Sequence, residues 1–382
     1  MVGDDSRRRT RDSPSDKERS AGDVTYTIRP FNRDDIGAVQ ELYSAVRGDK
    51  PTLEWLDWKF GDNPAMGDVC MFVADSQEGI IGAIPLYPVR LRYGSTPIDA
   101  TCLVNVMVHP DYQGEGVFSA LRHFTKGYLS DRTDLMFGFT NSNSRPIYRH
   151  WGETEVGPMH AHFRVQNPAT IFPGGRLWRT PLAYLHSLAT RTHLAVRDWR
   201  SSTPSNVSVT KTAAVPADRL AALYRSRVPE SLHVVRDAAY YRWRLGDPGW
   251  SGEVYIATRD SEDIAALITR PRRVNETTTR IEVADVLPLS TDRASGRGIA
   301  ALLDSVIRDH RDADVISIRG SNVPNGVLRA RGFVSNARFP YSLLCARAYV
   351  TLTLFVTPFT DTDFDVSDPV NWNVNELTIN TD

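Results

Sequence analysis

Residues 105–121 read NVMVHPDYQGEGVFSAL. An apolar run, Val106-Met107-Val108, is stopped by Pro110 and followed by Gly114 and Gly116. From Val117 the pattern changes: in VFSALRHFTKGYL the apolar residues Val117, Leu121, Phe124 and Tyr128 recur at helical spacing. The stretch is therefore a strand, a glycine turn and a helix. Glycine at the start of a helix leaves backbone N–H groups free to converge on an anion, with the helix dipole in support. The expected guest is a phosphate or pyrophosphate. Neither the P-loop pattern GxxxxGK[ST] nor GxGxxG fits these residues.

Working outward, TYTIRPF reads as a strand and DDIGAVQELYSAVR as an amphipathic helix opened by Asp34 and Asp35. CMFVAD, IIGAIPLYPVRLRY, IDATCLVNVMVH and LMFGFT read as strands, SRPIYRHW as a short helix and MHAHFRVQN as a closing strand. This order predicts an α/β chain built on a mixed (α+β), largely antiparallel sheet.

The same order returns later in the chain. Residues 55–75, WLDWKFGDNPAMGDVCMFVAD, match residues 240–260, YYRWRLGDPGWSGEVYIATRD, with Trp58 against Trp243 and Gly61-Asp62 against Gly246-Asp247. QGEGVFSAL at 113–121 meets SGRGIAALL at 295–303, and Gly152 meets Gly332. Landmarks kept in order at nearly fixed spacing indicate a duplication. The predicted organisation is a disordered arm at 1–23, a first domain at 24–167, a helical connector at 168–208, a second domain at 209–349, and a C-terminal strand with an acidic tail at 350–382. The arm carries six cations and six anions and almost no large apolar residue, which predicts disorder. The tail from Asp361 has six acidic residues and no Lys or Arg, although Trp372 and Leu377 suit packing.

Composition narrows the function. The formal net charge of the 382 residues is -1, so no global basic field draws the chain to nucleic acid. Three scattered cysteines, Cys70, Cys102 and Cys345, make neither a disulfide framework nor a metal site. The most apolar stretch, Tyr341 to Val356, is too short to span a bilayer and contains Arg347. No apolar segment follows Arg7-Arg8-Arg9 at the N-terminus. The expectation is a cytoplasmic protein with no metal and no nucleic-acid or membrane partner.

The segment VHPDYQGEGVFSAL resembles motif A of the GNAT superfamily of N-acetyltransferases, Gln/Arg-x-x-Gly-x-Gly/Ala: Gln113 and Gly116 match, and Phe118 stands where Gly or Ala is usual. NSNSRPIYRHWGE resembles the family's second signature, with Asn141, Tyr148 seven residues later and Gly152 four after that. The resemblance implies two tandem GNAT-like domains that use acetyl-CoA as co-substrate. It implies a pyrophosphate on the turn formed by Gln113, Gly114, Glu115, Gly116, Val117 and Phe118. It also implies a pantetheine arm paired with Val106, Met107 and Val108, and a cofactor contact at Asn141. Tyr148 falls at the position of the family's general acid.

The implied reaction is direct attack of a small-molecule amine on the thioester. Asp99, Asn105, His109, Glu155, His160 and His162 are the polar residues from which a base would come, and the sequence does not choose among them. In the second copy Ser295 stands at the Gln/Arg position and Leu328 at the tyrosine position, which makes that copy degenerate. Arg272, Arg273 and Arg280 are candidates for holding an anion there. The same motifs would serve a non-catalytic acyl-CoA sensor, or a mycothiol-synthase-like or aminoacyl transferase. The amine acceptor is not written in the sequence.

Overall fold

The structure, a computed structural model, describes residues 19–21, 24–168, 192, 194, 196–198, 206–274, 278–320, 322–337 and 351–379. Residues 1–18 of the expected arm, nearly all of the expected connector, residues 341–350 of the apolar stretch and Cys345 lie outside the described residues.

The first copy contains β1 (Arg19–Ala21), β2 (Val24–Pro30), α1 (Ile36–Arg47), α2 (Leu53–Phe60), β3 (Met71–Ser76), β4 (Gly79–Tyr93), β5 (Thr96–Leu103), β6 (Met107–Val108), α3 (Val117–Leu129), β7 (Leu135–Thr140), α4 (Arg145–His150), β8 (Thr154–Pro158) and β9 (Ala161–Val165). The second contains β10 (Ser208–Thr212), α5 (Ala217–Ser226), β11 (His233–Val234), α6 (Ala238–Arg244), β12 (Glu253–Arg259), β13 (Glu262–Arg273), β14 (Thr279–Leu287), α7 (Arg293–Asp309), β15 (Val315–Arg319), α8 (Asn325–Ala330) and β16 (Val334–Ser335). β17 (Thr353–Pro358) and α9 (Glu376–Ile379) follow. The chain groups into two compact units, one of 1–53, 67–86 and 103–133, the other of 54–66, 87–102 and 134–382.

In the first unit β2 pairs antiparallel with β3, and β3 with the beginning of β4. Against expectation, part of the N-terminal arm is a strand: Arg19–Ala21 pairs antiparallel with Val24–Tyr26, so backbone pairing offsets what its polar side chains cannot. The helix expected from Asp34 begins as a short 3-10 turn. Asn32 and Asp35 form a reciprocal capping box, and Arg29 bonds both Asp35 (2.6 Å) and Asp75 (2.8 Å). The expected stripe of α3 is present. Val117 and Leu121 are buried, and Phe124 and Tyr128 meet Phe72 edge-on at 5.0 and 4.9 Å. Gly82 on β4 permits this packing, since a Cβ there would lie 2.9 Å from Leu121 and 3.0 Å from Val117.

The second unit holds a topology that the sequence reading did not contain. MHAHFRVQN was expected to close the first copy's own sheet. Its strand, β9, instead lies between β15 and β16 in a sheet ordered β10-β12-β13-β14-β15-β9-β16. The place beside β7 and β8 is taken by β17, from the far end of the chain. The exchange is reciprocal and in equivalent register. Phe355 on β17 lies opposite Gly138 and Glu155, and Phe163 on β9 lies opposite Ser317 and Val334. Gly138 and Ser317 are 179 residues apart, as are Glu155 and Val334.

The duplication meets itself at Trp58 and Trp243. Their rings stack with centroids 5.9 Å apart, Trp58 Nε1 donates to the Trp243 carbonyl at 2.7 Å, and Trp243 Nε1 donates to the Trp58 carbonyl at 3.0 Å. A two-fold relation between the copies would generate each of these bonds from the other.

Within the acidic tail, Trp372 and Leu377 are buried, as suits packing. Residues 372–379 are buried, because their polar groups find charged partners. Asn375 donates to Asp285, which also accepts from Arg236 Nε and the Tyr241 hydroxyl, each at 2.9 Å, while Glu376 meets Arg319 at 2.8 Å. Among the described residues no helix is long and apolar enough to cross a membrane.

Two predictions follow from this packing. β17 buries Leu354, Phe355 and Val356, at about 1.5–3 kcal/mol each. That sum approaches the whole stability of a typical domain, roughly 5–15 kcal/mol. A chain truncated after residue 350 is expected to be insoluble or to lack a cooperative thermal transition, whereas a soluble variant melting like the full chain would contradict the exchange. The second concerns His233, buried on β11. Its Nδ1 donates to the Ser231 carbonyl at 2.7 Å and its Nε2 accepts from the Tyr224 hydroxyl at 2.9 Å, which holds the ring neutral. Burial lowers its pKa from 6.5 to about 4. Below pH 6.5 the unfolded chain takes up a proton that the fold refuses until about pH 4, so stability falls across that window by about 3 kcal/mol. Denaturant titrations should show this loss in the wild type and a shallower one in His233→Gln.

Candidate active site

Glycine geometry shapes the turn of the first unit. Gly114 and Gly116 have φ of +90° and +82°, a region in which a Cβ is strained. Around both, the volume that a Cβ would enter is open, with no atom within 4 Å. Gly116 is the N-cap of α3, no side chain caps that helix, and the first amide to bond back is Ala120 N–H, which donates to the Gly116 carbonyl at 3.0 Å. The first turn of a helix has no internal acceptors for its N–H groups, so the turn offers positive backbone dipoles to an open space. Glu115 donates its amide to the Tyr112 carbonyl at 3.4 Å, and Phe118 is half-buried behind it.

The strand expected to run unbroken through IDATCLVNVMVH is broken. β5 ends at Leu103, Asn105 has φ +48°, and β6 resumes for Met107 and Val108, opposite Ala83 and Gly82. Asn105 Nδ2 donates to the Tyr43 hydroxyl at 3.1 Å, which holds the break. Gln113 folds back so that its Nε2 donates to the Val108 carbonyl at 3.1 Å. Its side chain therefore ties the turn to the strand. Val106 is half-buried in the break itself.

Tyr148 and Asn141 belong to the second unit. Asn141 Oδ1 accepts from the amides of Asn143 (2.9 Å) and Ser144 (3.0 Å) and so shapes the entry to α4. Tyr148 is buried on α4, between Trp151 at 5.7 Å and Phe355 at 5.4 Å. Glu155 on β8 bonds Arg145 and, at 2.6 Å, Arg149, and these guanidinium groups hold its carboxyl below the usual range. An open cleft of about 420 Å³ lies elsewhere in this unit, beside Trp58 and Trp243, and none of its lining residues was a sequence-predicted site residue.

Comparison with known proteins bears on these residues directly. Residues 27–154 match the family model of the GNAT acetyltransferase domain. This segment is a GNAT domain. No curated protein matches the chain. Solved structures share its fold. A protein of Enterococcus faecalis described as a probable N-acyltransferase has a TM-score of 0.62 at 11% identity, covering 88% of this chain and 73% of that one. A GCN5-related N-acetyltransferase from Anabaena variabilis has a TM-score of 0.58 at 10% identity, with the same coverages. Eis1 from Mycobacterium abscessus has a TM-score of 0.52 at 15% identity, covering 87% and 73%.

The element of the second copy equivalent to the GNAT turn is different. SGRGIA is not a turn: α7 begins at Arg293 and contains Ser295, Gly296 and Gly298. Asp292 caps it. Its carboxylate accepts from the amides of Ala294 (3.0 Å) and Ser295 (2.8 Å) and pairs with Arg227 at 2.5 Å. The Ser295 bonds hold this carboxyl below its usual range. The helix end that is uncapped in the GNAT domain thus carries the chain's own anion here. Leu328, at the tyrosine position, is core. Of the three arginines, Arg272 and Arg280 both pair with Glu282.

The polar residues considered as bases are dispersed. His109 accepts from the Asp111 amide at 3.4 Å, His162 lies opposite Ile318 in the second sheet, and the Asp99 amide donates to the Asp134 carboxylate at 2.9 Å while the Asp99 carbonyl accepts from the Asp134 amide at 2.8 Å. Glu155, clamped by two arginines, is a poor proton acceptor near neutrality. Sequence reasoning missed the Arg145–Glu155–Arg149 clamp, although arginines flanking a tyrosine ahead of a strand glutamate are visible. It also missed Phe355, whose partner is 207 residues away in sequence.

Gly116→Val tests the turn. The substitution places a branched side chain in the open space at a positive φ. It is expected to lower the melting temperature by only a few degrees, while calorimetric titration with coenzyme A shows affinity reduced at least about tenfold, the equivalent of 1.4 kcal/mol. Unchanged affinity in the folded variant would remove the turn from the site.

Proposed function

We propose that the chain is an acetyl-CoA-dependent N-acetyltransferase that transfers the acetyl group to a primary amine of a small molecule or amino sugar by direct attack. The observation that carries this reading is the uncapped, two-glycine entry to α3 inside a GNAT domain. The residues fit the co-substrate, because the volume a Cβ would fill at Gly114 and Gly116 is open and no side chain caps the first turn of α3. Acetyl-CoA supplies the thioester when bound. The amides from Gly114 to Phe118 hold its pyrophosphate, and the Gln113 side chain, through Val108, keeps the turn in place. Met107 and Val108 on β6, with Val106 in the break ahead of them, are assigned to pair with the pantetheine arm in the manner of an added strand. Backbone N–H groups near Met107 and Val108 polarise the carbonyl under attack.

The leaving thiolate needs a proton, and Tyr148 is assigned to donate it. A phenol of pKa about 10 protonating a thiolate whose acid has a pKa of about 8.5 is uphill by roughly 2 kcal/mol. The hydroxyl therefore acts as a hydrogen-bond donor that completes transfer as the C–S bond breaks. In the second copy Leu328 has no proton to give and Asp292 fills the anion position, which supports one coenzyme site per chain.

Tyr148→Phe is expected to lower kcat by about 10²–10⁴-fold, the usual contribution of general acid catalysis. Coenzyme A affinity should stay within twofold. Thioester consumption from acetyl-CoA against a panel of amines is the measurement, and wild-type kcat in this variant would return Tyr148 to a packing role.

A further inference from the structure

The helix that carries Tyr148 has six residues, Arg145–His150. A helix this short has no stability of its own in water, so its orientation is imposed from outside. Two tethers are ionic: Glu155 bonds Arg145 and Arg149, three residues before the tyrosine and one after it. They hold the helix backbone, and the tyrosine ring itself lies between Trp151 and Phe355. Phe355 meets that ring. It is 1% exposed, and its centroid lies 5.4 Å from that of Tyr148 with the planes 53° apart, within the range of favourable aromatic pairs. It lies on β17 opposite Gly138 on one side and Glu155 on the other. Gly138 brings no side chain to that place. The strand that brings the ring also pairs with the strand of the glutamate that holds the helix.

The equivalent position of the second sheet is informative. Phe163 lies opposite Ser317 and Val334 as Phe355 lies opposite Gly138 and Glu155. Phe163 packs with Ala161 and Val315. Leu328 belongs to a different core cluster, and the clamping glutamate is replaced by Val334. An exchanged phenylalanine thus recurs in both sheets, and in the first copy's sheet it meets the helix that carries the tyrosine.

We infer that Phe355 is a positioning residue for Tyr148: the C-terminal strand, exchanged into the first copy's sheet, sets the ring of the acid and makes its action depend on the last part of the chain. The inference rests on the reading of Tyr148 as the acid. Displacing a reacting group by 1 Å costs about 10²-fold in rate, so loss of the ring contact should be felt in turnover and little in binding.

The test uses the full chain with acetyl-CoA and the amine that turns over fastest. Phe355→Leu is expected to lower kcat about 10- to 100-fold with KM for acetyl-CoA within twofold, and to add no further loss in the Tyr148→Phe background. A second readout needs no turnover. In protein labelled with ¹³C-tyrosine, the signal missing from Tyr148→Phe identifies Tyr148, and Phe355→Leu should move that signal and alter its titration. Additive losses in the double variant, or an unmoved Tyr148 signal, would overturn the inference. Should the leucine variant fail to fold, Phe355→Met keeps the volume without the ring and takes the same measurements. Failure of both to fold assigns Phe355 to the core alone and also overturns it. Wild-type kcat in Tyr148→Phe would instead refute the acid reading, while the tyrosine signal still reports separately whether Phe355 sets the ring.

Discussion

An unpaired strand edge in a sheet interior leaves a row of N–H and C=O groups without partners, and the fold of this chain follows from how two such gaps are filled. The gap between β7 and β8 takes β17, and the gap between β15 and β16 takes β9. Each copy completes the other's sheet, in the same register. Loss of either strand would therefore expose edges in one sheet and strand apolar side chains from the other. The Trp58–Trp243 pair follows the same reciprocity on a smaller scale, with each indole N–H satisfied by the other residue's carbonyl. Each such bond is worth about 1 kcal/mol net, and leaving either indole unsatisfied in the core would cost more.

Within that frame, the two copies differ in charge at one helix end. Both α3 and α7 begin with positive backbone dipoles. At α3 a left-handed glycine is the cap, and a glycine has no carboxylate to turn inward. At α7 the cap is Asp292, which satisfies the amides itself and draws in Arg227. A bound anion at α7 would have to displace a carboxylate already hydrogen-bonded in place; at α3 it would meet only open space. A single residue thus separates a helix end suited to a ligand from one suited to stability.

The helix that carries Tyr148 shows a related economy. Six residues cannot hold a conformation alone, so Asn141 shapes the entry, Glu155 clamps two arginines, and Trp151 and Phe355 enclose the ring. Every one of these partners except Phe355 is local in sequence. The exception belongs to the exchanged strand, and it ties the tyrosine ring of the first copy to a strand that follows the second.

The duplication, the glycine turn, α3, β7 and the short helix around Tyr148 were determined by the sequence alone, because helix periodicity, capping and left-handed glycine are properties of neighbouring residues. The Asp292 cap was equally local, since an aspartate three residues before a serine at a helix start is a capping pattern. The end of the arm, the break at Asn105 and the burial of residues 372–379 depended on partners far along the chain. So did the destination of β9 and β17. Alternation of apolar residues says that a segment will be a strand with one face or both buried; it carries no information about which edge that strand will pair with. Only the tertiary structure decided that, because backbone hydrogen bonds are the same for every residue and the choice rests on which gap the whole chain leaves open.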